Sequence, residues 1–592
     1  MRLTPEQFWT YFEWLFEQQG LLQGFLLILV LAIVGFVIGF VVALLKYGPG
    51  EGFLQVAKII RELFVIDIPK TSFRRIGAIS RLAIKEAIRK KVLVVVAVFV
   101  IAIMFAGWYL DPKAEYPARL YISFVLSSTN YVVLVLGLFL SCFSLPADIK
   151  SRTIYTIVTK PVRPTEIFLG RVFGFVAVGT LVLALLGVIS YQFVVRGLDH
   201  KHEALEVTAD GLTGTTSLQQ YHSHTFTIDP DTGLGATNEA KGHRHIVSKQ
   251  GDKFVIGEPV DDLTARVPQY GFLKFTGRDG EDNTGYNVGY MSEYQKYIEG
   301  DTLSSAIWTF KNVNPASFPT ELSYDMTISA FRTYKGDIET PVGGVLIFRS
   351  IDGKVESERY PFKVKEFQTD RRSIPLQLKG FREGQPADLD FFKDIAVDGS
   401  FEVMIRCQDR GQYLGMAAAD LYLRAKTLPF WWNFVKGYIS IWLQMVIVIC
   451  FGVMFSTFLS GPVAIIATVS FIVVGFFGGF IDELVSGKIA GGGPIESLIR
   501  IPLQSGSATE LDLGNVQLEN GLRAVDKALL RSVTTLKYAI PDFIQLGTAD
   551  FVAYGVNLFE GLLARHLTIC AGYFLLTSFI SYFFLKTREM AA

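Results

Sequence analysis

Charge is scarce in this chain. Only 19% of its 592 residues are Asp, Glu, Lys or Arg, against roughly a quarter in an ordinary soluble protein. The charge that is present cancels, with 56 basic residues facing 56 acidic ones. That excludes a partner bound through a global basic field, nucleic acid above all. Cysteine is scarcer still, and four residues are too few for a disulfide framework. Cys142, Cys450 and Cys570 lie in apolar runs and Cys407 alone in a polar region, so all four read as small buried hydrophobes. A phosphate-cradling GxxxxGK[ST] loop is missing too. The nearest candidate, Ser486-Gly487-Lys488-Ile489, lacks the Ser/Thr metal ligand. There is no LSGGQ-like signature and no recognisable catalytic triad, so the chain is not expected to be an enzyme.

Apolar residues fill the space that charge leaves. Half the chain is hydrophobic and 13% is aromatic, which rules out disorder. Seven stretches have the length and apolarity of a membrane span: 21–45, 92–110, 121–145, 172–195, 430–459, 462–481 and 567–585. Trp108, Tyr109, Tyr121, Tyr191, Trp431, Trp432 and Tyr582 fall near their ends, as an interfacial aromatic belt should. The fold class expected is an α-helical polytopic membrane protein: one extra N-terminal span plus a six-span core, with an inserted mainly-β, sandwich-like extracytoplasmic domain.

Positive charge orients the spans. Lys46, Lys58, Arg61, Lys70, Arg74, Arg75, Arg81, Lys85, Arg89, Lys90 and Lys91 crowd the first loop, which is therefore expected in the cytoplasm. Alternation then puts 146–167 and the tail with Lys586 and Arg588 inside. It puts 196–428 and 482–566 outside. The N-terminus, with Glu6, Glu13 and Glu17, lacks the basic start and small-residue cleavage site of a secretory signal. The first span is expected to be retained, with the N-terminus outside. Four regions follow: 1–73, a span and basic linker; 74–195, an interfacial helix and three spans; 196–429, the insertion; and 430–592, three more spans with a helical outer segment at 482–566.

Residues 74–91 read RRIGAISRLAIKEAIRKK. Ile76, Ile79, Ala83 and Ala87 recur at helical spacing with basic residues between them, an amphipathic helix for the inner membrane interface. Arg81, Lys85, Glu86 and Arg89 lie on this interfacial element, with membrane lipid as the expected partner. In the next loop, 149–158 has the pattern of a short helix, which Pro161 and Pro164 stop.

The helix ending E-A-I-R-K-K, the loop with Asp148, Thr153, Thr159, Lys160, Pro161, Val162, Arg163, Gly170 and Arg171, and the tail FFLKTRE together resemble the permease subunits of ATP-binding cassette transporters, in the type-2 exporter class. The likeness covers 74–195 well and 430–589 loosely. It implies a six-span core with both ends inside, in a bacterial inner membrane, and a coupling helix near 149–158 that docks on an ATPase. Asp148, Lys150, Arg152, Thr153, Lys160, Pro161 and Arg163 would serve that coupling. The implied partners are separate ATPase subunits and a second copy or similar permease. The extra first span and the large insertion depart from the pattern. The rival expectation is a membrane-anchored binding or metal-handling protein, with a metalloenzyme as a third reading.

From 208 to 426 the sequence turns to strand and turn chemistry. Leu322, Tyr324, Met326, Ile328 and Ala330 alternate in one run, and Phe401, Val403, Ile405 and Cys407 in another. Residues 345–348 make a third strand, and 336–344 and 351–354 read as turns. Asp279, Glu281 and Asp282 read as a solvated turn, with a calcium site as the alternative. Histidine is the unusual residue. Six of the seven form H-x-H pairs: His200/His202, His222/His224 and His243/His245. Residues i and i+2 of a strand share a face, so each pair can present two imidazoles. Neutral imidazole suits zinc, copper or nickel, so these pairs are candidate metal ligands; the alternative is a solvated or pH-sensitive hairpin with no metal. His566 reads as an interfacial residue. In the second outer segment, Leu518, Leu522, Val525, Leu529, Val533, Leu536 and Ile540 step like one amphipathic helix ended by Pro541, and 543–563 reads as a second, less regular helix.

Overall fold

The computed structural model describes residues 10–587, apart from most of 18–47 and the segments 90–92, 107–109, 112, 151–161, 209–210, 252, 261, 289–294, 320, 334–340, 365–369, 486–492, 505, 507–515 and 538–539. The chain divides into two compact units. One holds Thr264–Phe430 and Gly555–Asn557, and the other holds the remaining described residues.

The larger unit is mainly helical. Before the β segment come α1 (Pro49–Glu62), α2 (Phe73–Arg89), α3 (Leu93–Met104), α4 (Pro117–Lys150) and α5 (Pro164–Leu198). After it come α6 (Phe430–Ser456), α7 (Gly461–Phe476), α8 (Gly478–Val485), α9 (Pro494–Leu503), α10 (Val516–Lys537), α11 (Ala549–Ala553) and α12 (Glu560–Thr587). Among the described residues, four helices are long and apolar enough to cross a membrane: α4, α5, α6 and α12. The run at 92–110 contains the shorter α3, and the run at 462–481 is broken into α7 and α8 at Phe477, whose backbone leaves helical geometry (φ −96°, ψ 9°). The first expected span falls largely outside the described residues. Among the described residues, the expected spans correspond to four long apolar helices and two shorter ones.

Two helix boundaries differ from the sequence pattern. Pro146, expected to open a loop, sits inside α4, which runs on to Lys150. Residues 543–563 do not form one helix: Asp542 Oδ1 accepts from the backbone N–H of Ile544 and Gln545 at 3.0 Å each, Gly555 turns left-handed at φ 68°, and only α11 is helical before α12 begins.

The six short strands that follow α5 belong to this same unit. They are β1 (Ala204–Val207), β2 (Thr213–Thr216), β3 (Thr225–Ile228), β4 (Leu234–Thr237), β5 (Arg244–Gln250) and β6 (Lys253–Val260), antiparallel in sequence order. β1 also approaches β6, curling the sheet toward closure.

The smaller unit is β-rich, with sheets of nine, four and three strands. Phe401–Cys407 runs through the middle of the largest, pairing with Val342–Arg349 on one side (Leu346 opposite Ile405) and Ser305–Phe310 on the other (Ala306 opposite Ile405). The four-stranded sheet is centred on Glu321–Met326 and Leu421–Pro429. Trp308, Phe310, Phe348 and Phe401 from the large sheet share one core with Leu322, Tyr324 and Leu423 from the smaller. The Tyr324 and Phe348 rings meet edge to face at 5.7 Å, so the two sheets form a sandwich. The run 322–330 is two strands, Glu321–Met326 and Ser329–Arg332, in different sheets; between them Thr327 donates its N–H to Asp420. Gly343 and Gly344, read as turn residues, lie in the strand Val342–Arg349. All four cysteines are free and buried.

Candidate metal centre

The three H-x-H pairs occupy equivalent places in three consecutive hairpins. His200, His222 and His243 recur at spacings of 22 and 21 residues, each just before β1, β3 or β5. Two tight turns set the later pairs. Gln219 and His222 exchange both backbone hydrogen bonds at 2.9 Å, as do Ala240 and His243 at 3.1 Å. The central residues Gln220 (φ 43°), Tyr221 (φ 63°), Lys241 (φ 52°) and Gly242 (φ 84°) are all left-handed, the type I′ geometry that suits twisted hairpins. The first pair follows the end of α5 directly.

Threonine completes the repeat. Thr216 Oγ1 accepts from the backbone N–H of His224 at 2.8 Å, and Thr237 Oγ1 accepts from that of His245 at 2.9 Å.

All six imidazoles are buried; the outer nitrogens of five are held by carbonyls, and Nδ1 of His243 has no hydrogen-bond partner. Nδ1 of His200 donates to Leu198 O (2.8 Å), His202 to Ser217 O (2.7 Å), His222 to Gln220 O (3.3 Å), His224 to Asn238 O (2.9 Å) and His245 to Gly257 O (2.8 Å). A carbonyl only accepts, so each of these five Nδ1 atoms carries the proton. The neutral ring then has its lone pair on Nε2, and the Nε2 atoms converge. His200 and His243 Nε2 lie 3.0 Å apart, His222 and His243 3.1 Å, and His202 and His222 3.3 Å. Nε2 of His224 and of His245 are buried without a hydrogen-bond partner.

Ring centroids 4.8–5.3 Å apart link every pair except His200/His224, His202/His243 and His222/His245. An octahedron has this connectivity, each vertex adjacent to all but the one opposite. His200, His222 and His243 form one triangular face, and His202, His224 and His245 the other. Ligand nitrogens of His200, His202, His243 and His245 all lie within 4.8 Å of one another, as do those of His202, His222, His224 and His243. The cluster is able to hold a metal ion. Burial pushes His202, His222, His224, His243 and His245 toward the neutral, ligating form, and neighbouring rings add to it: His222 and His245 fall to about 4 and His243 to about 2. His566 lies elsewhere, buried near Ser440.

The opposite end of α5 carries a second cluster, built from charge. Arg171, only 1% exposed, donates Nη1 to Glu86 Oε2 at 2.5 Å and also bonds Ser144 and Asp148. It thereby ties α5 to α2 and α4. Glu166 takes a two-point bond from Arg75 (2.6 and 2.8 Å) and the backbone N–H of Ser72 (2.8 Å). Asp67 gathers Arg163, the Tyr582 hydroxyl (2.8 Å) and Lys586 (3.1 Å). Glycine permits the close seam beneath: a Cβ on Gly170 would stand 2.6 Å from Ile79 Cβ, and one on Gly174 2.6 Å from Ala83 Cβ.

Of the residues that the transporter likeness singled out, Asp148 and Arg163 enter this cluster, while Lys150 is the exposed last residue of α4. Arg152, Thr153, Lys160 and Pro161, with most of the 149–158 helix, lie outside the described residues. On the interfacial helix, Ile76, Ile79, Ala83 and Ala87 are buried as the periodicity predicts. Glu86 turns to Arg171, and Arg81, Lys85 and Arg89 are exposed. Sequence reasoning missed Asp67, Arg75, Glu166 and Tyr582. The available signal was ionisable residues at the margins of apolar runs, which need partners. No family model matches this chain, and no curated protein does either.

Proposed function

We propose that this chain is the membrane-spanning permease subunit of an ATP-driven exporter, powered by a separate ATPase chain and moving an apolar or amphipathic substrate. The observation that carries the reading is the charged cluster around Arg171. In the sequence, residues 151–161 are bracketed by Asp148 and Arg163, and both of these are ion-paired, to Arg171 and Asp67. Through those pairs a push on the segment reaches α2, α4, α5 and, by Tyr582 and Lys586, α12. A coupling element needs such a rigid attachment, because packed elements move as bodies. The bundle orientation inferred from positive charge puts this cluster in the cytoplasm, where nucleotide is, and the histidines outside.

The test is affinity purification of the full chain from its native membrane. A cassette ATPase should accompany it, and exchanging Lys160 and Pro161 for alanine should release that partner. Recovery of the chain without any ATPase contradicts the reading.

A second reading, a membrane-anchored metal-handling protein without transport, is favoured by the imidazole cluster. It is preferred if metal content tracks function while no ATPase is bound.

A further inference from the structure

The β1–β6 module has only a small apolar cluster of its own. Its core consists of Phe226, Ile228 and Val247, with Ala204, Phe254 and Ile256 packed at the edge. Domains below roughly 70–80 residues generally need a staple such as a disulfide or a metal, and this module contains no cysteine. Six histidines occupy the centre instead. With five Nδ1 protons fixed on carbonyls, five Nε2 lone pairs point into the cluster: those of His202 and His222 lie 3.3 Å apart, those of His200 and His222 lie 3.0 and 3.1 Å from His243 Nε2, and those of His224 and His245 are buried without a hydrogen-bond partner. In the absence of a cation that convergence is repulsive, apart from whatever one proton shared through His243 relieves. Burying polar atoms in this way is costly unless something pairs them.

We propose that the six imidazoles bind one six-coordinate divalent transition-metal ion, nickel(II) before cobalt(II), iron(II) and manganese(II), as a permanent structural staple for the three hairpins. The octahedral connectivity decides the class. Structural zinc sites in proteins are almost always four-coordinate and tetrahedral, and copper(II) favours tetragonal sites. Among ions that accept six equivalent nitrogens, the general affinity order runs from manganese up to nickel. A metal–nitrogen bond of about 2.1 Å gives octahedral edges of about 3.0 Å, and three of the twelve Nε2 edges are 3.0, 3.1 and 3.3 Å. Six protein ligands leave no open position for substrate or water, so the ion is neither a catalyst nor a cargo caught in passage. The backbone carbonyls on Nδ1 are the outer partners that fix ring orientation in metal sites. This inference stands whether or not the chain works with an ATPase.

The full chain, purified in detergent without a histidine tag and stripped with a chelator, is titrated with cobalt(II). One cobalt per chain should bind, with the weak visible bands of six-coordinate cobalt, and nickel(II) should displace it. Intense tetrahedral bands, or no stoichiometric binding, overturn the proposal. Replacing His224 with alanine should abolish the six-coordinate spectrum, whereas His566→Ala should leave it intact. Because a ligand variant can misfold, the wild-type chain supplies a second readout. Protease should cut within the β1–β6 module of the chelated chain and spare the cobalt-loaded one; equal cleavage in both states contradicts a stapling role.

Discussion

Arg171 on α5 donates to Glu86 on α2 at 2.5 Å, and the same guanidinium reaches Asp148 near the end of α4. One buried cation thus joins three helices, while two partly exposed carboxylates balance it. Arg171→Ala leaves both carboxylates without their cation, a change that costs about 3 kcal/mol or more at buried pairs. Thermal unfolding in detergent should show a clear loss of stability. Arg171→Lys should recover only part of it, because a single ammonium lacks the fork that spans two acceptors.

The seam between α2 and α5 depends on missing side chains. Gly174→Val places atoms against Ala83 and the Ser80 carbonyl, where even a Cβ would come within 2.6 and 2.8 Å. Overpacking of this kind costs about 1–3 kcal/mol. Gly77, in α2, has open space around its Cβ position, so Gly77→Ala should raise stability by up to about 1 kcal/mol through helix propensity. Opposite signs for the two glycines in one unfolding assay are the expected result.

Asp420 gives the β-rich unit a pH dependence. Burial pushes its carboxyl up to about 6, although Ala417 N–H and Gln295 donate to it. The folded state holds this proton more tightly than the unfolded chain does. Its contribution is therefore full below the ordinary carboxylate range and is lost as pH rises to about 6, by about 2–3 kcal/mol. Asp420→Asn should flatten that part of the stability profile and leave the variant the more stable above pH 6. Thermal unfolding of the full chain across this range checks it.

Thr237 supports the second histidine triangle from behind. Thr237→Val removes the acceptor for the His245 backbone N–H while keeping the side chain's shape. Loss of such outer support typically weakens metal binding about 10- to 100-fold. Competition between the full chain and a chelator for nickel(II) measures the change.

These sites were unequally visible in the sequence. The buried face of α2 was legible because Ile76, Ile79, Ala83 and Ala87 follow the helical period. The H-x-H pairs were legible as pairs, since strand alternation puts both rings on one face. Their closure into an octahedron was not, because it depends on two left-handed turns at Gln220-Tyr221 and Lys241-Gly242 and on β1 meeting β6. The partners of Arg171, Glu166 and Asp67 lie up to 519 positions away along the chain, and no local pattern announces them. The alternation from Leu322 to Ala330 hid a change of sheet at Thr327, where the backbone turns to bond Asp420. The helical reading of 543–563 failed for a local reason, the Asp542 turn and the left-handed Gly555.

In the proposed site six imidazoles surround one ion. X-ray absorption at the nickel edge, on the tag-free full chain loaded with one nickel(II), tests it most directly. The expected result is a single shell of six nitrogens with imidazole outer-shell scattering. A four-coordinate shell, or one completed by oxygen or chloride, would contradict it.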